Sequence, residues 1–140
     1  MTATIHASAV LVGARAVLIR GPSAAGKSRL AWELIEAGRS GAVRFARLVG
    51  DDRVHLQAAG GRLLARPADA LAGLIELRGV GILRRDHEAS AVVGLVVDLA
   101  AADAERLPER GEIIIEGVAI PRLAVAPAVA ALPLVLAVVT

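Results

Sequence analysis

Residues 21 to 28 read GPSAAGKS and set Gly21, Gly26, Lys27 and Ser28 on the spacing G-x-x-x-x-G-K-[ST]. Each residue type there has a task in holding phosphate. Glycines let the backbone turn its amides toward an anion, a lysine reaches the β- and γ-phosphates, and the serine hydroxyl can ligate Mg²⁺. The loop Gly21, Pro22, Ser23, Ala24, Ala25, Gly26 would wrap the phosphates of a nucleotide. Fifteen of the sixteen basic residues are arginine, and Lys27 is the one lysine in the chain. A compact ammonium is thus kept where it must fit between phosphates.

A phosphate cradle does not by itself distinguish a kinase from an ATPase or a passive nucleotide binder; an acidic element must hold a metal or take a proton. Asp51-Asp52 stands at the end of an apolar run, where two adjacent carboxylates suit metal handling and proton abstraction. The same pair also suits a polar β-turn. Glu76 and Arg78 alternate with Ile75 and Leu77, so both would leave one face of a strand and could act on one ligand. A solvent-exposed ion pair, worth under about 1 kcal/mol, accounts for them equally. His6, on an early strand, reads as an edge or core histidine, and Trp32 as a core residue of a helix rather than a platform for adenine.

The elements that must position these residues follow from the apolar patterning. Ile5 to Val12 and Ala16 to Arg20 read as a hairpin leading into the glycine loop. Leu30, Ala31, Leu34 and Ile35 have helical spacing, which predicts a helix over 27–37 with Gly38 as its stop. The N-terminal amides of that helix would face whatever the loop binds. RLVGDDRVHL reads as a strand, a turn at Asp51 and Asp52, and a second strand; AAGGRLLA adds a turn and strand. LIELRGVGIL predicts a strand entering a glycine-punctuated loop, and Arg84 to Glu88 an exposed, mobile patch. AVVGLVVDL is a buried strand, AADAERLPERG a connection, and EIIIEGVAIPRL two short strands around Gly117. With one helix and many strands, a doubly wound domain is a poor fit, since each parallel strand there needs a crossover helix. An α/β, α+β-like domain with a mixed, largely antiparallel sheet is expected, as one domain over residues 1–140.

Composition narrows the function classes. The chain has no cysteine, which removes disulfides, thiolate zinc sites and a cysteine nucleophile. A net charge of +2 and two aromatic residues give no footing for nucleic acid. The apolar run Leu123 to Val139 carries Pro127 and Pro133, reads as buried strands and connections, and is no membrane span. The N-terminus lacks the basic region of a secretion signal, so the whole chain is expected as the mature protein, in the cytoplasm.

IELRGVGIL at residues 75 to 83, arriving after GPSAAGKS and LVGDDRVHL, resembles the Glu-x-Arg-Gly-x-Gly-Ile segment of the bacterial HPr kinase/phosphorylase family, in its catalytic C-terminal domain. The resemblance covers residues 5 to 122 and looks like a short form without the N-terminal regulatory domain. It implies a P-loop on a mixed sheet akin to phosphoenolpyruvate carboxykinase. It also implies ATP-dependent, Mg²⁺-dependent phosphorylation of a seryl hydroxyl on the phosphocarrier HPr, with reverse phosphorolysis in many members and assembly into homo-oligomers. Residue by residue, His6 matches the family's active-site histidine, fifteen positions before Gly21. Lys27 matches the phosphate-binding lysine, Ser28 and Glu76 the Mg²⁺ ligands, and Asp51 the carboxylate that accepts the serine proton. The resemblance gives Asp52 to the metal or to orienting Asp51, Arg78 to phosphate or acceptor, and Arg106 to an active-site arginine. The segment after the signature is shortened to RRDHEAS, and the helices that continue long members are not matched.

Two other classes compete. A small-molecule P-loop kinase would carry further helices and an arginine-rich lid, for which RRDHE is the one candidate. A nucleotide-binding regulatory module without catalysis would not need Asp51, Glu76 and Lys27 together. A GTPase is excluded by the lack of any asparagine for an Asn-Lys-x-Asp guanine motif.

Overall fold

The computed structural model describes residues 3–109 and 111–140. The chain runs β1 (Thr4–His6), β2 (Ser8–Val12), β3 (Arg15–Arg20), α1 (Lys27–Ser40), β4 (Ala46–Gly50), β5 (Arg53–Ala59) and β6 (Arg62–Pro67). A single 3-10 turn at Asp69–Leu71 then leads to β7 (Leu74–Leu77), β8 (Gly81–Arg84), β9 (Ala91–Asp98), β10 (Gly111–Ile115), β11 (Val118–Ala124) and α2 (Ala131–Val139).

Nine strands make one sheet in the order β1-β5-β6-β9-β3-β2-β4, with the β10–β11 hairpin joined to β9 through β11. β9 pairs in parallel with β3 and with β11, and the remaining pairs of that sheet are antiparallel. β7 and β8 form a separate two-stranded ribbon. The expected mixed, largely antiparallel sheet is therefore present. The hairpins β2–β3, β5–β6 and β10–β11 account for much of it, because a short turn returns a strand beside its predecessor without a crossover helix.

Both faces of the sheet are buried. On one, Val17, Ile19, Leu95 and Val97 meet Leu30 and Leu34 of α1, Ile75 of β7 and Val135 of α2. On the other, Ala9, Leu18, Val54, Leu56, Leu63, Val96 and Ile120 pack together without any helix, as the sheet curls over itself. The period-2 strands thus serve two cores at once, which is why β3 is buried from Ala16 to Ile19. Burying each leucine of the α1 stripe stabilises by about 1.5–3 kcal/mol, an upper bound set by the extended-chain reference.

Four readings of the sequence are corrected. The helix does not stop at Gly38 but runs to Ser40 and ends on Gly41, whose φ is 84°. Gly38 is needed for a different reason: a Cβ there would lie 2.8 Å from both the Cβ and the backbone nitrogen of Ala46. The apolar C-terminal run is not buried strand beyond β11 but holds α2, with Pro133 as its third residue. An amide in that first turn has no intrahelical acceptor, so proline costs nothing there. The glycines after Leu77 close the β7–β8 hairpin rather than an open loop, and Arg78 lies in its turn instead of extending the strand face of Glu76. Finally, the Arg84 to Glu88 patch is exposed at Arg84, Asp86 and His87 as expected, but it is tied down at its other residues. The Glu88 amide donates to the Leu48 carbonyl at 2.8 Å, Arg47 pairs with Glu88 at 3.4 Å, and Arg85 stacks 4.7 Å from the Trp32 ring centroid. Among the described residues no helix is long and apolar enough to cross a membrane.

Candidate active site

The glycine loop spans residues 21–26 between β3 and α1, the strand-loop-helix order that the sequence predicts. Its end is set by Gly26, the helix N-cap, with φ 97°, a conformation that side chains with a Cβ adopt at a cost. No side chain caps α1 and no acidic residue lies in its first turn, so its N-terminal amides keep their positive end toward the loop. Lys27 folds back over this loop. Its Nζ donates to the carbonyls of Gly21 at 2.8 Å and Pro22 at 3.1 Å.

Asp51 follows directly on β4 and is 3% exposed. The Ser28 hydroxyl donates to Asp51 Oδ1 at 2.7 Å and lies 3.0 Å from Oδ2. The backbone N–H of Glu76 donates to Oδ2 at 3.0 Å, and the Ser8 hydroxyl to Oδ1 at 2.6 Å. One carboxylate therefore ties together β2, the first turn of α1, the end of β4 and β7. With this set of donors both of its oxygens are hydrogen-bonded inside a buried site.

Asp52 faces away from that cluster. Its φ is 68° and the Arg53 amide donates to the Asp51 carbonyl at 2.8 Å, so the chain reverses tightly and sends the two adjacent carboxylates to different sides. Asp52 lies 3.8 Å from Nδ1 of His6, whose Nε2 is 2.9 Å from an Arg53 guanidinium nitrogen. A guanidinium can only donate, so this contact makes Nε2 the acceptor and leaves the imidazole proton on Nδ1, toward Asp52.

Of the residues singled out from sequence, the structure brings Ser28, Asp51 and the backbone of Glu76 into one cluster, with His6 and Asp52 joined beside it, while the Lys27 ammonium is bonded to the glycine loop. The Glu76 and Arg78 side chains are exposed. Arg106 is exposed on the connection after β9, and no hydrogen bond or ion pair among the described residues joins it to the cluster. Ser23 and Ala24 are exposed at the crest of the glycine loop, and Ala24 has φ 66°.

Two features escaped sequence reasoning. One is Ser8; its signal was a hydroxyl amid the apolar residues of a strand. The other lies at the base of the glycine loop, where Arg20 and Asp98 end the parallel strands β3 and β9 in register. Arg20 holds Asp98 by two bonds of 2.8 and 2.9 Å, and Arg122 of β11 holds it at 2.6 Å while pairing with Asp103 at 2.8 Å. Burial alone would push the Asp98 carboxyl up, but the hydrogen bonds and charges of Arg20 and Arg122 outweigh it and hold it below the usual carboxylate range. The same contacts, with Asp103 first, raise the Arg122 guanidinium above its ordinary value.

The family described as HPr Serine kinase C-terminal domain matches residues 1–126. An HPr kinase/phosphorylase of Streptococcus thermophilus is 37% identical over 133 residues, with 86% of this chain and 41% of that protein covered. One from Streptococcus pneumoniae is likewise 37% identical over 133 residues, covering 86% of this chain and 40% of its own length. The chain thus spans well under half the length of these curated relatives. Among solved structures, the Hpr(Ser) kinase/phosphatase from Coxiella burnetii superposes with a TM-score of 0.78 at 25% identity, covering 98% of this chain and 93% of that one.

Proposed function

This chain belongs to the HPr serine kinase C-terminal domain family, and from that premise we propose that it transfers the γ-phosphoryl group of ATP to a seryl hydroxyl of an HPr-type phosphocarrier protein. The observation that carries the reading is the Ser28–Asp51 contact. It joins the start of the helix behind the glycine loop to a buried carboxylate 23 residues away, so a nucleotide side and an acceptor side meet in one place.

In this reading residues 21–26 form a P-loop on a phosphoenolpyruvate carboxykinase-like sheet, and the backbone of Gly21, Ser23, Ala24, Ala25 and Gly26 faces the phosphates. Lys27 exchanges the Gly21 and Pro22 carbonyls for phosphate oxygens and offsets charge as the phosphoryl group leaves. Asp51 takes the proton of the seryl hydroxyl as its oxygen bonds to the γ-phosphorus and the bond to the ADP oxygen breaks. In phosphorolysis the protonated Asp51 returns that proton while inorganic phosphate attacks, and pyrophosphate is released. His6, held by Arg53, orients Asp52 and the turn that carries Asp51. Arg78 and Arg106 meet phosphate or the acceptor.

The donor set fits Mg²⁺. Ser28 and Glu76 would offer it hard oxygen atoms, whereas Asp52, which the sequence reading gave to the metal or to orienting Asp51, turns toward His6 and takes the orienting role. Such an ion would be held by one or two protein oxygens and completed by substrate phosphates. When bound, Mg²⁺ supplies charge neutralisation on the β- and γ-phosphate oxygens. Residues 1–140 act as a single catalytic domain in the cytoplasm, as a homo-oligomer.

Incubation with Mg·ATP and an HPr-type phosphocarrier, read by intact mass and fragmentation, tests this. A serine-specific gain is expected, falling by at least about 100-fold in Lys27→Ala. In Asp51→Asn transfer should be lost with ATP affinity within about twofold of the native chain, since the γ-phosphoryl group is bound without the proton acceptor. ATP binding without any transfer to the carrier would favour a regulatory module instead.

A further inference from the structure

Ser8 and Asp51 are the two buried polar or charged residues among those described, 0% and 3% exposed, and they are bonded to each other at 2.6 Å. Ser8 opens β2 between Ala7 and Ala9, both fully buried. An alanine would occupy the same place with no polar atom to satisfy, whereas a hydroxyl sealed from water is costly unless it is bonded. Packing therefore does not call for serine here, and its partners do. The Ser8 hydroxyl donates to Asp51 Oδ1 and receives the backbone N–H of Asp52 at 3.4 Å, bridging the carboxylate to the turn that carries it.

Ser28 makes a comparable bond, but its setting differs. It stands at the start of α1 beside the glycine loop and is half-buried, open to a nucleotide or a metal. Ser8 has no such second demand. We propose that Ser8 is a positioning residue for Asp51: it holds the carboxylate in one rotamer while Ser28 and the acceptor hydroxyl exchange at it. This rests on the reading of Asp51 as the proton acceptor. Misplacing a reacting group by an ångström costs up to about 100-fold in rate, so the loss of one of its three donors is consequential.

The test compares the native chain with Ser8→Ala, Ser8→Thr and Asp51→Asn, measuring kcat, KM for Mg·ATP and thermal midpoint in the phosphocarrier assay. Ser8→Ala should lower kcat about tenfold with KM for Mg·ATP within about twofold and the midpoint lowered by a few degrees for the lost bond, and Ser8→Thr should recover most of the rate. A native rate in Ser8→Ala beside an inactive Asp51→Asn overturns the role of Ser8 while leaving Asp51 in place. A native rate in Asp51→Asn overturns both. Losses of kcat, KM and midpoint together would mark a purely structural serine. Independently of any turnover, three-bond couplings of the Asp51 side chain should report one χ1 rotamer in the native chain and averaging in Ser8→Ala; a single rotamer in both would also sink the proposal.

Discussion

Asp98 ends β9 in register with Arg20 at the end of β3, one residue before the glycine loop begins. Its carboxyl is held low by Arg20 and Arg122, so the folded chain binds this proton less readily than the unfolded chain does. The linked stability is fully present above the unfolded value of about 4 and is lost as pH falls through the depressed folded value. Urea midpoints between pH 2 and 6 should therefore drop on the acid side, and Asp98→Asn should flatten that part of the curve; an unchanged slope would remove Asp98 as a source. Residue types made Lys27 and Ser28 legible, because phosphate chemistry restricts what can stand at a given spacing, whereas Asp51 read equally as a polar turn until the family resemblance gave it a role. Ser8 was not legible, since a lone serine in a strand has no local partner and its carboxylate is 43 residues away.

At the scale of elements, α1 illustrates two uses of glycine. Ala is favoured over Gly in a helix by about 0.8–1.0 kcal/mol, yet a Cβ at Gly38 would strike the Ala46 backbone of β4 at 2.8 Å. Overpacking of this kind costs about 1–3 kcal/mol, so Gly38→Ala should come out net destabilising by about 1 kcal/mol in urea titration. A gain in stability would show that β4 yields freely. Gly38 served as a stop signal in the sequence because contact between helix and strand has no local mark. The C-terminal helix was hidden for a related reason. Its Pro133 is a breaker in a helix interior and neutral in a first turn, and only the position of the helix start decides which.

For the whole molecule, one sheet carries a core on each face, with Ile75 in the first and Ile120 in the second. Ile75→Val and Ile120→Val should each cost about 0.5–1.5 kcal/mol, and together their sum within about 0.5 kcal/mol, because the two clusters share no member. Both variants should still unfold in one transition, since the same strands wall both cores; non-coincident transitions by fluorescence of Trp32 and by far-ultraviolet dichroism would contradict this. Strand surplus and turn spacing determined a mixed, largely antiparallel sheet, and the ordered motifs at residues 21–28, 48–56 and 75–83 determined the family. These are local patterns, and a linear chain displays them directly. Tertiary structure alone decided that Asp51 is sealed beneath Ser8, Ser28 and the Glu76 amide, that Asp52 turns out toward His6, and that Arg20, Asp98 and Arg122 lock the strand ends under the loop. Those contacts join residues 23 to 78 positions apart, and their register depends on which strands lie side by side, a choice made by burial of the whole sheet.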